Sequence, residues 1–556
     1  IKSSKDIVIF KVVSLICFIF IASNLILSVL SIILDFYDFI KRMKRECDII
    51  LETILQYKKE STMKNIKVNA LASLLVNVLN IVFPLITNPY LTRILSKSNY
   101  GYFNTANTWA SFVIPLAAFG IYNYGIRAIS KVKDDKNKIN YVFSKLFYIS
   151  VFTSILTTGI YFLIIFFDTS IENLKVLYYI LGAQALFQFL NIEWMNEAYE
   201  NYAFILYKTL IIRISMLVGI FTFVKTADDI VPYAIVMSTT TILNYLLSFL
   251  WIKRKVSFVK ISFVELTKES KPLFTMLLLA NSSMLYGLLD RIFITNGPDE
   301  NYISYYAIAS NIVMLIAGVL GGAINVSVPR LSYYLGKKDY NSYRSLVNQT
   351  ASFFYFLIIP TSIGIMILGS YATVIYSSEK YLEAGIITSI FAFRSVIWAI
   401  ELILGRQIIF INNHENRLTA FYFIGGGLNF LLNCFLYFNN IFSPVYYLVT
   451  TISAEIIVVL LEIHFIKKYQ LLKLKEIFTF LMRYSIVSLG FIPIYLTFKT
   501  LFQITSYTVT LNMILMVLST IVGCTIYYLL TLFITKDKTL HYALNLILSK
   551  IKKTTN

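Results

Sequence analysis

Apolar runs of about 20 residues recur along the whole chain, and short polar segments separate them. A run of this length crosses the hydrocarbon core of a bilayer as an α-helix, and the period-2 alternation of an outer-membrane barrel is absent. The sequence therefore predicts an all-α polytopic membrane protein. From Met63 onwards the pattern predicts fourteen membrane-spanning helices at 69–91, 105–126, 143–167, 174–194, 203–224, 229–252, 273–295, 303–328, 347–377, 384–411, 418–438, 444–466, 476–500 and 508–534.

The segment before Met63 differs from the rest of the chain. Residues 7–33 form one apolar run interrupted by Lys11, and the charged stretch 34–62 contains KRMKRE. Met63 then opens MKNIKVNALAS, a short basic flank before the first predicted span. We expect residues 1–62 to be an upstream extension with one apolar helix. The alternative is that this extra N-terminal helix belongs to the natural protein and runs from outside to inside.

Charge orients the predicted spans. The chain is 57% hydrophobic and 14% charged, with a formal net charge of +19, whereas a soluble protein is about 25% charged. Lysines and arginines concentrate in alternate loops counted from a cytoplasmic Met63, so the positive-inside rule places both ends of 63–556 on the cytoplasmic side of the cell membrane. No soluble basic domain accompanies the charge, which favours membrane lipids over nucleic acid as partners.

Enzymatic chemistry is not indicated. The four cysteines and three histidines are scattered without paired ligand spacing, so we predict no metal site. The sequence contains no Walker A pattern and no catalytic cluster. We therefore expect a protein that is not an enzyme and has no cofactor, with a proton gradient or a sodium gradient as alternative driving forces.

An internal repeat relates two halves of the chain. Tyr102 and Arg127 recur as Tyr305 and Arg330 at one common offset. Six predicted helices separate the copies, and an even number preserves orientation, so the repeats would be parallel about an axis along the membrane normal. This predicts two six-helix bundles with a central cleft. The predicted divisions are the extension 1–62, the first bundle 63–252, a basic amphipathic cytoplasmic linker 253–272, the second bundle 273–467, and two appended helices with a basic tail, 468–556.

Three stretches resemble a known family. They are FPLITNPYLTRILSKSNYGYFNTANTWASFVIPLAAFGIYNYGIRAIS, EWMNEAYENYAFI, and DRIFITNGPDENYISYYAIASNIV with VSVPRLS after it. From Met63 almost to its end, the chain resembles the Wzx-type polysaccharide flippases of the multidrug/oligosaccharidyl-lipid/polysaccharide exporter superfamily. The resemblance implies two bundles that open alternately to either face of the membrane. It also implies export of an undecaprenyl-diphosphate-linked oligosaccharide of the capsule, O-antigen or teichoic-acid type. We expect a monomer that works with a polysaccharide polymerase and assembly proteins.

Charged residues inside the predicted spans are the candidate functional residues, because each costs about 2.5–3.5 kcal/mol at the bilayer midplane. Arg213 stands midway along 203–224, and Lys208 lies nearer its cytoplasmic end. We expect them to contact the diphosphate; the alternative for Arg213 is an ion pair that holds helices together. Arg93 lies at a helix end, where anchoring is the default. The resemblance makes it a candidate at the cavity mouth.

A second candidate group lies on the predicted helix 384–411. Arg394, Trp398 and Glu401 share one face of it, so a cation, an aromatic ring and a carboxylate could hold an anion, a sugar and a proton. The alternative is an internal Arg394–Glu401 pair. Glu455 in 444–466 is a candidate for proton coupling, against a polar contact between helices.

Four more charged residues lie near helix ends. Asp290 and Arg291, at the outer end of the seventh predicted helix, form either a structural local pair or a gate. Glu193 and Glu197, at the cytoplasmic end of the fourth, are expected to be solvated.

Three functions compete on this evidence. A drug/cation antiporter of the same superfamily would need an acidic cleft. A membrane enzyme such as a polysaccharide polymerase would need a sizeable loop with catalytic groups, and the loops here are short. Of the charged residues inside the predicted spans, six bear on this choice: four cations, Lys208, Arg213, Arg394 and Arg406, and two acids, Glu401 and Glu455. The excess of cations favours a flippase with an anionic, lipid-linked substrate.

Overall fold

The computed structural model describes residues 66–281, 284–542 and 544–545, and all regular structure in these ranges is helical. The segment 1–62, with its predicted helix, lies outside the described residues. Contacts divide the chain into units Ile1–Asn69 and Ala70–Asn556, and all contacts given below lie within the second unit. Eleven helices of the described part are long and apolar enough to cross a membrane. The prediction of an all-α polytopic membrane protein is confirmed.

The first half of the described chain consists of long helices with three shorter ones, α3, α5 and α6, among them. Large apolar side chains on their outer surfaces, such as Phe152, Phe166 and Phe167, are exposed, as lipid-facing side chains are in a membrane protein. The helices are α1 Ile66–Ile94, α2 Lys97–Ala118, α3 Ile121–Lys131, α4 Lys136–Phe167, α5 Lys175–Leu186, α6 Glu193–Ala198, α7 Tyr202–Phe223, α8 Ile230–Lys253 and α9 Phe263–Ala280.

The second half has the same all-helical character. One of its helices, α13, continues directly into a π-helical segment, Leu402–Phe410. The helices are α10 Met284–Ile294, α11 Asn301–Gly336, α12 Tyr340–Tyr376, α13 Ala384–Glu401, α14 Glu415–Phe438, α15 Pro444–Lys468, α16 Lys475–Leu489, α17 Phe491–Leu501 and α18 Leu511–Ile534.

The predicted span 105–126 differs from the structure at both ends. Its helix begins eight residues earlier because the Ser96 side chain accepts a hydrogen bond from the Asn99 backbone N–H at 3.2 Å, which caps the helix. It ends early because Phe119 and Gly120 adopt positive φ angles of 47° and 72°. A side chain at Gly120 would collide with the backbone of α9, so glycine is required at this turn.

Two further predicted spans are interrupted. The span 174–194 consists of α5, a single turn of 3-10 helix, and the short α6. The span 273–295 is divided between α9 and α10. α9 begins well before residue 273, because Ser262 and Glu265 form a capping box at its start. Hydropathy does not reveal such breaks, since the apolar residues continue through them.

The helices pack in two groups. The main contacts of α2–α9 are with one another, and the same holds for α10–α18. α9 packs on α3 and α4, and so joins the first group, although its second half was expected to open the second bundle. The residue boundaries predicted for the two bundles remain a prediction.

The two groups meet along α2, which contacts α10 and α11. Gly101 at the start of α2 lies against the backbone of Glu300, and the Tyr100 ring lies 6.0 Å from the ring of Tyr381. Buried residues of both groups form one continuous core around this contact. The contact lies at the helix ends that the loop charges predict to be extracytoplasmic.

Candidate functional site

Arg213 is a half-buried cation on α7 that faces α1. Its Nη2 donates to Asn80 Oδ1 at 3.0 Å, and its guanidinium lies 6.0 Å from the centroid of the Phe83 ring. Within the described residues, no carboxylate oxygen lies within 4.0 Å of Arg213. The structure therefore does not form the ion pair that was the alternative for this residue. Contact with the substrate remains the prediction for it.

Lys208, one and a half turns before Arg213, is in a different situation. Its Nζ lies 2.7 Å from Glu193 Oε2 and 2.6 Å from Ser248 Oγ, and Ser248 also donates to Glu193. The side chain is 2% exposed. The Lys208 charge is thus compensated inside the protein.

The expectation that Glu193 and Glu197 are solvated is wrong for Glu193. Glu193 pairs with Lys208, and Glu197 accepts a hydrogen bond from the Tyr122 hydroxyl at 2.7 Å. Both glutamates lie on α6, which packs on α7 and α8. Their position follows from this packing, which cannot be inferred from the charge pattern of the loop.

Arg394 on α13 and Glu455 on α15 form a bidentate ion pair. Arg394 Nε lies 3.0 and 2.9 Å from the two carboxylate oxygens, and Nη2 lies 2.6 Å from Oε1. The two side chains are 15% and 5% exposed. The Arg394–Glu401 pair considered as an alternative is not the one the structure forms. Trp398 packs against Gly321 and lies 6.2 Å, centroid to centroid, from the Phe354 ring.

Asp290 on α10 is fully buried at the junction of four helices. Its carboxylate accepts hydrogen bonds from donors on α11, α14 and α15, so both oxygens are satisfied. The donors are the Tyr306 hydroxyl at 2.9 Å, Asn429 Nδ2 at 3.0 Å, Asn433 Nδ2 at 2.8 Å and Thr451 Oγ1 at 2.5 Å. The cluster combines one carboxylate with amides and hydroxyls in the interior of the second group.

Arg291 contacts different residues from the adjacent Asp290. Its Nη2 donates to Ser310 Oγ at 2.7 Å, and its guanidinium lies 5.6 Å from the centroid of the Tyr306 ring. The structural local pair expected for Asp290 and Arg291 is therefore not formed. Instead, Tyr306 contacts both residues, Asp290 through its hydroxyl and Arg291 through its ring.

Two further glutamates are Glu401, the last residue of α13, and Glu462 on α15. Glu401 accepts a hydrogen bond from the Tyr422 side chain. Glu462, seven residues after Glu455 on α15, is fully buried beside Gly405 of the π-helical segment. The sequence interpretation did not single out Glu462, although the seven-residue spacing from Glu455 already placed both on one helix face.

Arg93 lies at the end of α1 and joins the two helix groups. Its Nη2 donates to the carbonyl of Ile375 at 2.7 Å and its Nη1 to the carbonyl of Tyr376 at 3.4 Å. Lys380 Nζ donates back to the carbonyl of Leu95 at 2.6 Å. These contacts hold the end of α1 to the end of α12. The position of Arg93 at a helix end is predictable from the sequence, but its contact with α12 is not.

Asn429, Asn433 and Thr451 are the other residues that the sequence interpretation missed. A signal for the first two was present, because two asparagines four residues apart lie on one face of an otherwise apolar helix. Such amides are costly in a membrane unless they find partners, and here they converge on Asp290.

The arrangement of helices has close counterparts among solved structures. "Lipid II flippase MurJ, inward closed conformation" matches with a TM-score of 0.63 and 17% identity, covering 84% of this chain and 100% of that chain. "Inward-facing conformation of a multidrug resistance MATE family transporter of the MOP superfamily" matches with a TM-score of 0.51 and 12% identity, covering 70% and 99%. This protein is a multi-pass membrane protein with the fold of these transporters.

Sequence comparisons find relatives of a similar kind. Residues 66–335 match the pattern of the "Polysaccharide biosynthesis protein" family, which confirms the resemblance inferred from the motifs. Two curated relatives share the name "Putative O-antigen transporter". The one from Escherichia coli (strain K12) is 20% identical over 71% of this chain and 94% of its own length. The one from Shigella dysenteriae is 24% identical over 66% and 91%.

Proposed function

We propose that this protein is a flippase that moves an undecaprenyl-diphosphate-linked oligosaccharide across the cytoplasmic membrane by alternating access. The family match and the transporter fold support a membrane protein that handles a lipid-linked oligosaccharide. The observation that carries the proposal is Arg213, a guanidinium inside a membrane-spanning helix that no carboxylate neutralises within the described residues. A half-buried cation within a membrane span is costly unless an anion binds to it.

Arg213 is the cation best suited to the diphosphate. A guanidinium can bind phosphate oxygens through two parallel hydrogen bonds. Among the described residues, the only side-chain oxygen that accepts a hydrogen bond from Arg213 belongs to the neutral Asn80. Lys208 and Arg394 already have carboxylate partners at 2.7 and 2.6 Å. Arg93 donates to backbone carbonyls at the helix ends. We therefore place the diphosphate between α1 and α7, and assign the other three cations to structural roles.

The same contacts suggest how access alternates. Arg93 and Lys380 cross-connect the ends of α1 and α12, and Lys97 lies 3.6 Å from the Glu383 carboxylate nearby. We propose that these contacts form the outer gate, closed in this conformation. They would open when the substrate leaves towards the outer leaflet.

The Asp290 cluster is our candidate for the coupling cation. Carboxylate, amide and hydroxyl oxygens are the ligands that a small hard cation prefers, and a lone buried carboxylate can alternatively take up a proton. Rotation of the Asn429 and Asn433 amides would replace their donors by oxygens facing Asp290. Sodium and proton remain alternatives at this site.

A drug/cation antiporter is the second candidate. Its support is that the second helix group buries more acids than the sequence count included, with Asp290 and Glu462 both fully buried. A flippase deletion should accumulate a lipid-linked oligosaccharide on the inner leaflet, whereas an antiporter deletion should raise the cellular content of a cationic dye. Measuring both in one deletion strain separates the two functions.

Complementation of that strain tests the Arg213 assignment. Arg213→Ala should insert and fold, losing about 1–3 kcal/mol with its hydrogen bond to Asn80, yet fail to export. Arg213→Lys should retain partial export, because it keeps the charge but not the bidentate geometry. Arg254→Ala removes an exposed arginine outside the spans and should export normally. Full export by Arg213→Ala would refute the assignment.

A further inference from the structure

Glu462 is a buried carboxyl group for which the proposed transport site has no use. It lies six residues before the end of α15, and its side chain is 0% exposed. Within residues 66–281, 284–542 and 544–545, neither of its carboxyl oxygens has a hydrogen-bond partner. The same ranges contain no lysine or arginine nitrogen within 4.0 Å of it.

The Glu462 carboxyl group packs against the backbone of Gly405, which has no side chain. A Cβ on Gly405 would lie 2.8 Å from Glu462 Oε1 and 3.1 Å from the Tyr422 hydroxyl oxygen. Glycine at this position therefore leaves the space that both groups use. Gly405 belongs to the π-helical segment, and π-helical turns within α-helices are frequent at functional sites.

The surroundings of Glu462 favour its neutral form. An isolated carboxylate costs several kcal/mol when it is taken out of water without a partner. Another acid, Glu401, interacts electrostatically with Glu462 and would repel a second negative charge. Four titratable side chains interact electrostatically with Glu462: Tyr286 on α10, Tyr355 on α12, Glu401 on α13 and Tyr422 on α14. The neighbouring elements also carry Arg394 on α13, Arg406 on the π-helical segment and, on α15 itself, Glu455.

We propose that Glu462 is a proton-binding site, which exchanges its proton with Glu401 through the Tyr422 hydroxyl. Tyr422 lies near both acids. Its side chain hydrogen-bonds to Glu401, and its hydroxyl oxygen and Glu462 Oε1 lie 3.1 and 2.8 Å from the same point, the position that a Cβ on Gly405 would occupy. Any use of this proton in transport rests on the proposed function, whereas the proton site itself does not.

The exchange conserves atoms and charge. The Glu462 carboxyl O–H bond breaks and its proton passes to the Tyr422 oxygen, while the Tyr422 hydroxyl proton passes to a Glu401 carboxylate oxygen. Glu462 ends as a carboxylate, Glu401 as a carboxylic acid, and Tyr422 as the hydroxyl it was. The Arg394–Glu455 pair, two helical turns from Glu462 along α15, would then face a neutral Glu401.

Infrared spectroscopy of the purified protein tests the site without any substrate. Wild type at neutral pH should show the carbonyl stretch of a protonated carboxyl group that shifts in heavy water, and Glu462→Gln should lose one carboxyl equivalent of it. Glu265→Gln is the matched control: hydrogen bonds from the Ser262 backbone and the Tyr141 hydroxyl lower the pKa of Glu265, so this carboxyl is ionised at neutral pH. A folded Glu462→Gln protein with an unchanged band would overturn the proposal.

A second variant keeps the test decisive if Glu462→Gln does not fold. Gly405→Ala places a methyl group against Glu462 Oε1 and should shift the same band, because the carboxyl group must move. An unshifted band in folded Gly405→Ala protein would also overturn the proposal. Tyr422→Phe should retain the Glu462 band but slow its hydrogen–deuterium exchange at least severalfold, and unchanged exchange would remove Tyr422 from the path.

Transport is measured separately, so that the two proposals can fail independently. If wild type flips a lipid-linked oligosaccharide in vesicles, Glu462→Gln should lose the dependence of flipping on internal pH. If wild type does not flip such a lipid, the proposed function fails while the infrared result still decides the proton site.

Discussion

The ion pair between Arg394 and Glu455 can be dissected by a double-mutant cycle. Arg394→Met leaves the Glu455 carboxylate, which is 5% exposed, without its cation. Removing one partner of a buried pair costs about 3–5 kcal/mol, because the remaining charge stays desolvated. Glu455→Met should cost a similar amount, since it leaves the guanidinium buried and unpaired.

The double variant R394M/E455M should recover most of this loss. Replacing both partners by apolar residues of similar volume is often near neutral, so we expect a net change within about 1–2 kcal/mol and a coupling free energy of about 4 kcal/mol or more. Denaturant titration of the protein in detergent measures each free energy of unfolding. If the double variant loses as much free energy of unfolding as the two single variants together, the ion pair does not stabilise the fold.

Measuring export by the double variant shows whether the ion pair has only a structural role or also a role in transport. If the pair only holds α13 to α15, a stable double variant should export normally. A variant of native stability that fails to export would assign Arg394 or Glu455 to the substrate or to the proton. Lys133→Met is the control for an exposed pair: Lys133 lies 2.8 Å from Glu200 with both side chains at least 40% exposed, so its loss should cost at most about 1 kcal/mol.

Three further variants test the other contacts. Lys208→Met should destabilise the protein by about 3 kcal/mol, because it leaves the partly buried Glu193 carboxylate without its cation; a melting temperature equal to wild type would contradict this. Asp290→Asn keeps the shape of its cluster but removes the charge, so flipping in vesicles should lose its dependence on an imposed sodium or proton gradient, and an unchanged dependence on both would exclude Asp290 as the coupling site. Arg93→Ala removes hydrogen bonds at the proposed outer gate, each worth about 1 kcal/mol, so a cysteine introduced at Ser98 should react roughly fivefold or more faster with an impermeant maleimide. Equal labelling rates would remove Arg93 from the gate.

The sequence predicted the helices well because a membrane span is specified by length and apolarity alone. It did not predict where spans break. Gly120 sits in a region of unbroken apolar residues, and only its contact with α9 shows why the chain turns there. The interruption between α9 and α10 is likewise invisible to hydropathy, which averages over the residues around it.

The partners of the charged residues were less predictable than their positions. Arg394 and Glu401 lie on one helix face, so helical periodicity predicted that they could form an ion pair. In the structure, Arg394 pairs with Glu455 on a different helix. That choice depends on how α13 and α15 cross, which a single sequence does not contain. The same limitation applies to Lys208, whose partner Glu193 comes from a short helix that hydropathy merged into a longer span.

The charges divide unequally between the two helix groups, and this division constrains any coupling mechanism. Arg213, our candidate for the diphosphate, belongs to the first group, whereas Asp290, our candidate for the cation, belongs to the second. The contact between the groups offers one route by which the binding of the two ligands could be linked. α11 makes that link, because it packs on α2 while its Tyr306 hydroxyl donates to Asp290. A cation at Asp290 would compete with Tyr306 for the carboxylate, so we expect its arrival to loosen α11 against α2. The Glu455 carboxylate neutralises Arg394, so under the proposed function we expect the substrate anion to meet no unpaired guanidinium from this residue.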